Sequence, residues 1–200
     1  MADALPAIGF APHSGWAAVV VVAGDIDRPE VLARSRVEMA DPRLQGSKQP
    51  YHEVEELSLE EAEKRLARLR ASAGTMAHEA IRVLIDDLGK RDSKPRAAGI
   101  LDSSGRKGNS LAAVLASHAL IHTADGDHFR EALAEGCRRC GLAVVRVRQR
   151  DLVDRAAATL RQSPARLAAT VLTMGKPLGA PWGADQKSAA LLAWLLVAGV

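Results

Sequence analysis

The order of apolar and polar positions predicts strands in the first third of the chain. Residues 16–23 are apolar throughout and rich in valine, which is typical of a central strand buried on both faces. A turn with two aspartates and a proline follows, and residues 31–39 then alternate like a half-exposed partner strand. This pattern predicts an antiparallel hairpin. Two further short strands are predicted at 96–101 and 142–147.

Helical periodicity is clearest after residue 58. Ser58 and Glu61 form a capping-box pattern, and apolar residues then recur three or four apart until near Gly89. Gly74 is expected to cost this long helix about 1 kcal/mol relative to alanine and is a candidate bend. Other helices are predicted at 111–116, from Thr123 to about Cys140, at 151–160, from Ser163, and after Gly183. The last is apolar almost all round and therefore predicted to be buried.

Composition supports one ordinary globular domain. The chain has 200 residues, of which 48% are hydrophobic and 26% charged. Together with the order of strands and helices, this predicts a single α/β domain over residues 1–200. The net charge of +3 is compatible with a polyanionic partner such as nucleic acid but does not require one.

The sequence also predicts a cytoplasmic protein without a membrane span. The amino terminus lacks the basic start and apolar run of a signal peptide. The longest apolar run, 189–200, is too short to cross a bilayer. Cys137 and Cys140 are the only cysteines, so no disulfide framework is expected. The sequence predicts no particular oligomeric state.

Three short motifs resemble those of a known superfamily. Residues 9–12 and 14–20 are Gly-Phe-Ala-Pro and Ser-Gly-Trp-Ala-Ala-Val-Val, Asp102 ends the strand after the long helix, and Asp185 precedes an Ala/Leu run. Together they resemble the ribonuclease-H-like superfamily, in particular its Holliday-junction-resolvase branch. There the first strand ends Gly-Ile-Asp-Pro-Gly, and the later strand usually ends in Glu. The resemblance implies a mixed central sheet with an antiparallel opening hairpin and helices on both faces.

The resemblance fails at Ala11, which stands where the family has a metal-binding aspartate. These nucleases hold one or two Mg²⁺ ions with a cluster of carboxylates, and two ions clamp the attacking and leaving oxygens of a phosphodiester. Ala11 offers no ligand, although His13 is a candidate replacement that favours Zn²⁺ or Mn²⁺ over Mg²⁺. The resemblance therefore implies an altered site of His13, Asp102 and Asp185, holding Mg²⁺ or Mn²⁺ rather than Zn²⁺.

A second candidate site lies in the polar segment 117–130. His118, His122 and Asp125 are spaced so that a continuous helix would place them on one face, as in a two-histidine metal site. The alternative is a loop with polar caps, because Thr123 is itself a plausible helix start. Arg130 closes the segment and is a further candidate binding residue.

Other polar residues have both a functional and a structural interpretation. His52 is a binding candidate or an anchor for the long helix. Trp182 and Lys187 flank Asp185, where Lys187 either contacts phosphate or neutralises the carboxylate. His78 and His128 are predicted to be structural or solvated, and Cys137 and Cys140 to face the core. The Gly-rich stretch 103–109 lacks the P-loop pattern and is predicted to be a surface loop.

Three functions are compatible with these residues. The first is a metal-dependent phosphodiesterase or nuclease that uses His13, Asp102 and Asp185. The second is a catalytically inactive module that keeps the fold and binds nucleic acid or protein. The third is a histidine-based metal hydrolase acting on a small molecule. An enzyme requires its site residues to converge on one reacting atom, so the positions of His13, Asp102, His122 and Asp185 are decisive.

Overall fold

The computed structural model describes residues 5–105 and 108–199, which share one five-stranded sheet. The strands are β1 (Ala7–His13), β2 (Trp16–Asp25), β3 (Arg28–Glu38), β4 (Ala97–Asp102) and β5 (Ala143–Arg148). Their order is β3-β2-β1-β4-β5, with β1, β2 and β3 antiparallel and with β4 and β5 running parallel to β1. The predicted mixed sheet and its antiparallel opening hairpin are confirmed.

Helices cover both faces of this sheet. They are α1 (Pro50–Glu53), α2 (Leu59–Gly89), α3 (Leu111–Leu115), α4 (His118–Arg139), α5 (Leu152–Leu160), α6 (Pro164–Gly175) and α7 (Ala184–Val197). One core lies between the sheet and α2 and α4, and the other lies between the sheet and α5, α6 and α7. Among the described residues, no helix combines the length and apolarity needed to cross a membrane.

The valine run of β2 supplies both cores. Val19 and Val21 pack on the face covered by α2 and α4, whereas Val20 and Val22 pack on the α7 face. Successive side chains of a strand point to opposite faces, so a strand buried on both sides needs apolar residues at every position. This explains why residues 16–23 show no polar alternation.

Helix α7 lies unusually close to the sheet because the two strand residues directly beneath it are glycines. A Cβ at Gly9 of β1 would collide with the backbone carbonyl of Ala189, and one at Gly99 of β4 would lie 2.5 Å from Cγ of Leu192. Gly9 and Gly99 are paired across the two strands. Any larger residue at either position would lift the helix off the strands.

The structure confirms the long helix and corrects a neighbouring one. The Ser58 capping box is present, and α2 runs through Gly74 to Gly89 without interruption. The prediction that Thr123 begins a helix is wrong, because α4 already begins at His118 after Ser117. The Thr123 hydroxyl instead donates to the carbonyl of Ala119, 3.1 Å away, a bond that a threonine inside a helix can make.

The short helix α1, which lies between β3 and the long helix, was not predicted from the sequence. Arg106 and Lys107 of the predicted loop 103–109 lie outside the described residues.

We expect Gly9→Ala to lower the free energy of unfolding by about 3 kcal/mol, because the new methyl group displaces α7 from β1. Gly74→Ala is the matched control: its added Cβ meets no atom within 4 Å, and alanine in a helix interior should raise stability by about 0.5–1 kcal/mol. Urea denaturation of the three proteins measures both effects. Equal midpoints for Gly9→Ala and wild type would contradict this packing.

Candidate functional site

The carboxyl ends of three parallel strands form one edge of the sheet, here called the carboxyl edge. His13 ends β1, Asp102 ends β4 and Arg148 ends β5. The amino terminus of α7 reaches the same edge, where Gln149 donates from Nε2 to the Ser188 hydroxyl at 3.3 Å. Three strands and a helix therefore deliver polar side chains to one region, as is usual for open α/β sheets.

His13 and Asp185 meet at this edge. The His13 Nε2 atom lies 3.0 Å from Oδ1 of Asp185, in the first turn of α7. A two-residue turn containing Gly15, with φ +85°, sets His13 opposite Trp16, and their rings stack at 4.4 Å between centroids. Both members of the ion pair are about two-fifths exposed, so the pair positions the side chains more than it stabilises the fold.

Arg36 extends this contact onto β3. Its guanidinium carbon lies 3.9 Å from the Trp16 ring centroid, and its Nε donates to the Glu38 carboxylate. The stacked His13 ring and the guanidinium cannot share one face of the indole, so Trp16 is held between them. Sequence analysis missed Arg36. The only signal for it was the hairpin register, which sets Arg36 opposite Ala18 and Glu38 opposite Trp16.

Asp102 has a different set of partners. Arg130 Nε lies 3.8 Å from its Oδ1, and the Ser103 backbone N–H donates to the same oxygen at 3.0 Å. Arg130 also donates to the Leu101 carbonyl at 3.1 Å and lies 3.5 Å from Asp127. The Arg130 guanidinium thus contacts two carboxylates and one backbone carbonyl at the end of β4.

The two acids of the carboxyl edge lie toward opposite faces of the sheet. Along β4, Ile100 packs toward α4 and Leu101 toward α7, so alternation turns Asp102 toward α4. Its contact with Arg130, which is on α4, agrees. Asp185 approaches from α7 instead. Among residues 5–105 and 108–199, no ion pair joins Asp102 to His13.

Ala11 lies in the core beneath this edge. Its side chain is 5% exposed and belongs to the apolar cluster that includes Ala189 and Leu192 of α7. The position that the resemblance assigns to a metal-binding aspartate is therefore filled by a packed methyl group. Of the three positions that the resemblance assigns to acids, Asp102 and Asp185 therefore carry a carboxylate and Ala11 does not.

A second set of polar residues lies at the start of α4. His52, from α1, joins His118 and His122, and one nitrogen of each lies within 4.8 Å of the others. We call these the three-histidine cluster. His118 and His122 are four residues apart on one helix face, with their Nε2 atoms 3.0 Å apart. The predicted shared face of α4 is present, and His52 supplies a third ring that the sequence did not place there.

Asp125 fixes His52 in this cluster. Its carboxylate, which is 3% exposed as a residue, accepts from the Tyr51 backbone N–H at 2.6 Å and pairs with His52 Nδ1 at 2.5 Å. Burial raises the pKa of Asp125, and the bonds from Tyr51 and His52 only partly oppose that effect. The hydrogen bond occupies Nδ1 of His52, and within the described residues no hydrogen bond is made by Nε2 of the same ring.

The three-histidine cluster and the carboxyl edge are separate. Arg130 touches the end of β4, and His122 precedes it by eight residues, which corresponds to about 12 Å along a helix. The structure therefore brings together His13 with Asp185, and His118 and His122 with His52. It does not bring His122 to the edge acids.

Trp182 and Lys187 differ in their contacts. Trp182 donates from Nε1 to the Val171 carbonyl at 3.0 Å, and its ring fills the space beside Gly175 of α6. It therefore anchors the segment that leads into α7. Lys187 makes no ion pair with Asp185 within the described part of the chain, where His13 takes that place.

His128 is buried beside the cluster. It is 5% exposed, and neither ring nitrogen has a hydrogen-bond partner among the described residues. Burial, with a smaller contribution from Arg70, lowers its pKa to about 4. The ring borders a cavity of about 350 Å³ that Tyr51 and Thr123 also line. A separate cavity of about 660 Å³, between β3 and α6, is lined by none of the candidate residues.

The cysteines are structural, as their spacing on a helix predicted. Cys137 is buried, and Cys140 is partly buried at the end of α4. Burial raises the pKa of Cys137 to about 12, so its thiol is protonated and unreactive near neutral pH.

The architecture is that of the ribonuclease-H-like fold. The chain is similar to the structure of Thermus thermophilus RuvC, with 16% identity and a TM-score of 0.54, covering 96% of this chain and 92% of that one. It is also similar to T. thermophilus RuvC in complex with a Holliday junction substrate, with 15% identity, a TM-score of 0.52 and coverages of 96% and 91%. No family model and no curated protein matches the sequence.

The carboxyl edge does not fit the two-metal centre that this fold implies. Such a centre needs several carboxylates around the same two ions. Here Ala11 is buried, while Asp102 already faces Arg130 and Asp185 already faces His13. A single ion held by His13, Asp102 and Asp185 stays a prediction.

We expect the buried His128 to destabilise the protein in acid. Its pKa falls from 6.5 to about 4 on folding, so the unfolded chain binds more protons between these values and stability decreases as pH falls through them. A shift of this size corresponds to a loss of up to about 3 kcal/mol between pH 7 and pH 4. Asp125, whose pKa is raised, contributes in the opposite sense at lower pH.

Urea denaturation at pH 7 and pH 4.5 measures this effect. His128→Leu should lose less stability between the two pH values than wild type does. His78→Gln, which changes a half-buried histidine of α2, should behave like wild type. An identical pH dependence in His128→Leu and wild type would show that His128 is not the acid-sensitive group.

Proposed function

We propose that this chain is a nucleic-acid-binding protein of ribonuclease-H-like fold that does not cleave its ligand by the two-metal route. The observation that carries the proposal is the carboxyl edge, where Ala11 is packed in the core, Asp102 lies beside Arg130 and Asp185 lies beside His13. The fold is thus retained while the carboxylate cluster of a two-metal nuclease is missing.

The contacts of Asp102 and Asp185 support the absence of two-metal cleavage. A Mg²⁺ ion must compete with the Arg130 guanidinium for Asp102, and both groups are less than one-fifth exposed. The energetic cost of separating a partly buried ion pair exceeds that of separating an exposed one. His13 occupies one carboxylate oxygen of Asp185 in a more exposed contact. The Arg130 guanidinium supplies at Asp102 the positive charge that a metal ion would otherwise supply.

Exposed arginines at the same edge support nucleic acid as the partner. Arg148 and Arg150 lie on either side of Gln149 at the end of β5, and their side chains are 57% and 63% exposed. Both pair with Asp151 and with no other acid among the described residues, so the two arginines leave positive charge at the surface. Arginine binds phosphate well, because its planar fork matches two phosphate oxygens. The related RuvC structure with a Holliday junction substrate makes branched DNA the first ligand to test.

The alternative is a phosphodiesterase in which His13, Asp102 and Asp185 hold one Mg²⁺ or Mn²⁺ ion. One observation favours it: Asp185 and His13 lie 3.0 Å apart at an accessible position. This alternative predicts cleavage, whereas the proposal predicts binding alone.

We expect a fluorescently labelled four-way DNA junction to bind, with an affinity that falls steeply between 50 and 200 mM salt because phosphate contacts release counterions. Replacing Arg148 and Arg150 together by alanine should reduce the slope of log affinity against log salt by up to about two. Arg91→Ala is the matched control, since Arg91 is exposed before β4, at the opposite edge of the sheet. Fluorescence anisotropy measures all three proteins.

Two results would count against the proposal. If the double variant binds like Arg91→Ala and wild type, the arginines of the carboxyl edge are not the contact surface. If Mg²⁺ or Mn²⁺ produces junction cleavage that Asp185→Asn abolishes, the protein is instead the metal-dependent phosphodiesterase of the alternative.

A further inference from the structure

The three-histidine cluster has ligand chemistry that the proposed function does not use. It lies beyond the carboxyl edge, on a different part of α4, and only the Nδ1 atom of His52 is paired with a carboxylate among the described residues. We propose that His52, His118 and His122 bind one Zn²⁺ ion and leave its fourth coordination position to water.

The spacing of the nitrogens supports this site. A zinc ion takes imidazole nitrogens at about 2.0–2.1 Å in a tetrahedron, so the nitrogens of neighbouring ligands lie roughly 3.4 Å apart. His118 and His122 already place their Nε2 atoms 3.0 Å apart, and all three ligand atoms lie within 4.8 Å. Small rotations of exposed rings are enough to close the remaining difference. The i, i+4 pair on a continuous helix fixes two of the ligands.

Asp125 provides a second and independent observation. Zinc-bound histidines commonly donate their other ring N–H to a carboxylate, which fixes the ring and raises its basicity as a ligand. Asp125 occupies that position toward His52 at 2.5 Å, and its side chain is only 4% exposed. The Tyr51 N–H holds the other carboxylate oxygen at 2.6 Å. Asp125 is therefore a positioning residue: it holds Nδ1 of His52, so Nε2 is the nitrogen that would ligate the ion.

The ligand type and the exposure define the class of site. Three imidazoles favour Zn²⁺ over Mg²⁺, which prefers oxygen ligands. Two of the three rings are exposed and one is half-buried, so solvent reaches the ion from one side. Three protein ligands with an open fourth position are characteristic of a zinc ion that activates water, whereas structural zinc sites use four protein ligands.

Metal titration of the untagged, chelator-treated protein tests the proposal without any nucleic acid. One equivalent of Zn²⁺ should bind by isothermal titration calorimetry. His122→Ala should weaken binding at least tenfold, and Asp125→Asn by about 10- to 100-fold because it removes the carboxylate that orients His52 without removing a ligand. His78→Ala, a histidine of α2 outside the cluster, should bind like wild type. Circular dichroism checks that each variant is folded.

Substitution with Co²⁺ reports the coordination geometry directly. The proposal predicts the visible absorption of a four-coordinate Co²⁺ ion, which should change when an anion such as azide replaces the bound water. Binding of Zn²⁺ that His122→Ala and His78→Ala affect equally would overturn the assignment of the ligands. Binding without any response to azide would overturn the open position. The DNA-binding measurements above are independent of both results.

Discussion

Close packing of α7 against the sheet is the contact on which the rest of the structure depends. A helix can approach strands this closely only where the strands carry no side chains beneath it. Gly9 and Gly99, which are paired on adjacent strands, meet this condition under α7. The nearly all-apolar α7 is then buried along most of its length. Because the helix axis is fixed over β1 and β4, the first turn of α7 lies at the carboxyl edge, where Asp185 contacts His13.

The same packing determines what Ala11 can do. Ala11 follows Gly9 by two residues and therefore faces the same side of β1, toward α7. A longer acidic side chain at this position would have to fit beside the helix or displace it. An alanine at this position is therefore compatible with the close docking of α7. Of the two acids at the carboxyl edge, Asp102 lies beside Arg130 and Asp185 lies beside His13.

Much of the fold was predictable from local pattern, and the site was predictable only in part. The valine run, the Ser58 capping box and the apolar final helix each depend on residues close in sequence. The start of α4 was missed because Thr123 looks like a cap, while its hydroxyl is satisfied inside the helix by Ala119. Sequence alone identified His118 and His122 as neighbours.

Other contacts could not be predicted because they join distant parts of the chain. His52 reaches Asp125 from a position 73 residues earlier, and no periodicity links the two. Arg36 reaches Trp16 through hairpin register, and Arg130 reaches the end of β4 through the docking of a whole helix. Pairings of this kind depend on tertiary structure, for which one sequence carries no local signal.

The short helix α1 has a consequence for how the segment between β3 and α2 is held. Four residues are too few for a stable isolated helix, so α1 depends on its contacts with α4, chief among them the two bonds to Asp125. Any ion bound by the three histidines binds only the docked arrangement, and by thermodynamic linkage it would stabilise that arrangement. Occupancy of the proposed zinc site would therefore stabilise the docking of α1 on α4.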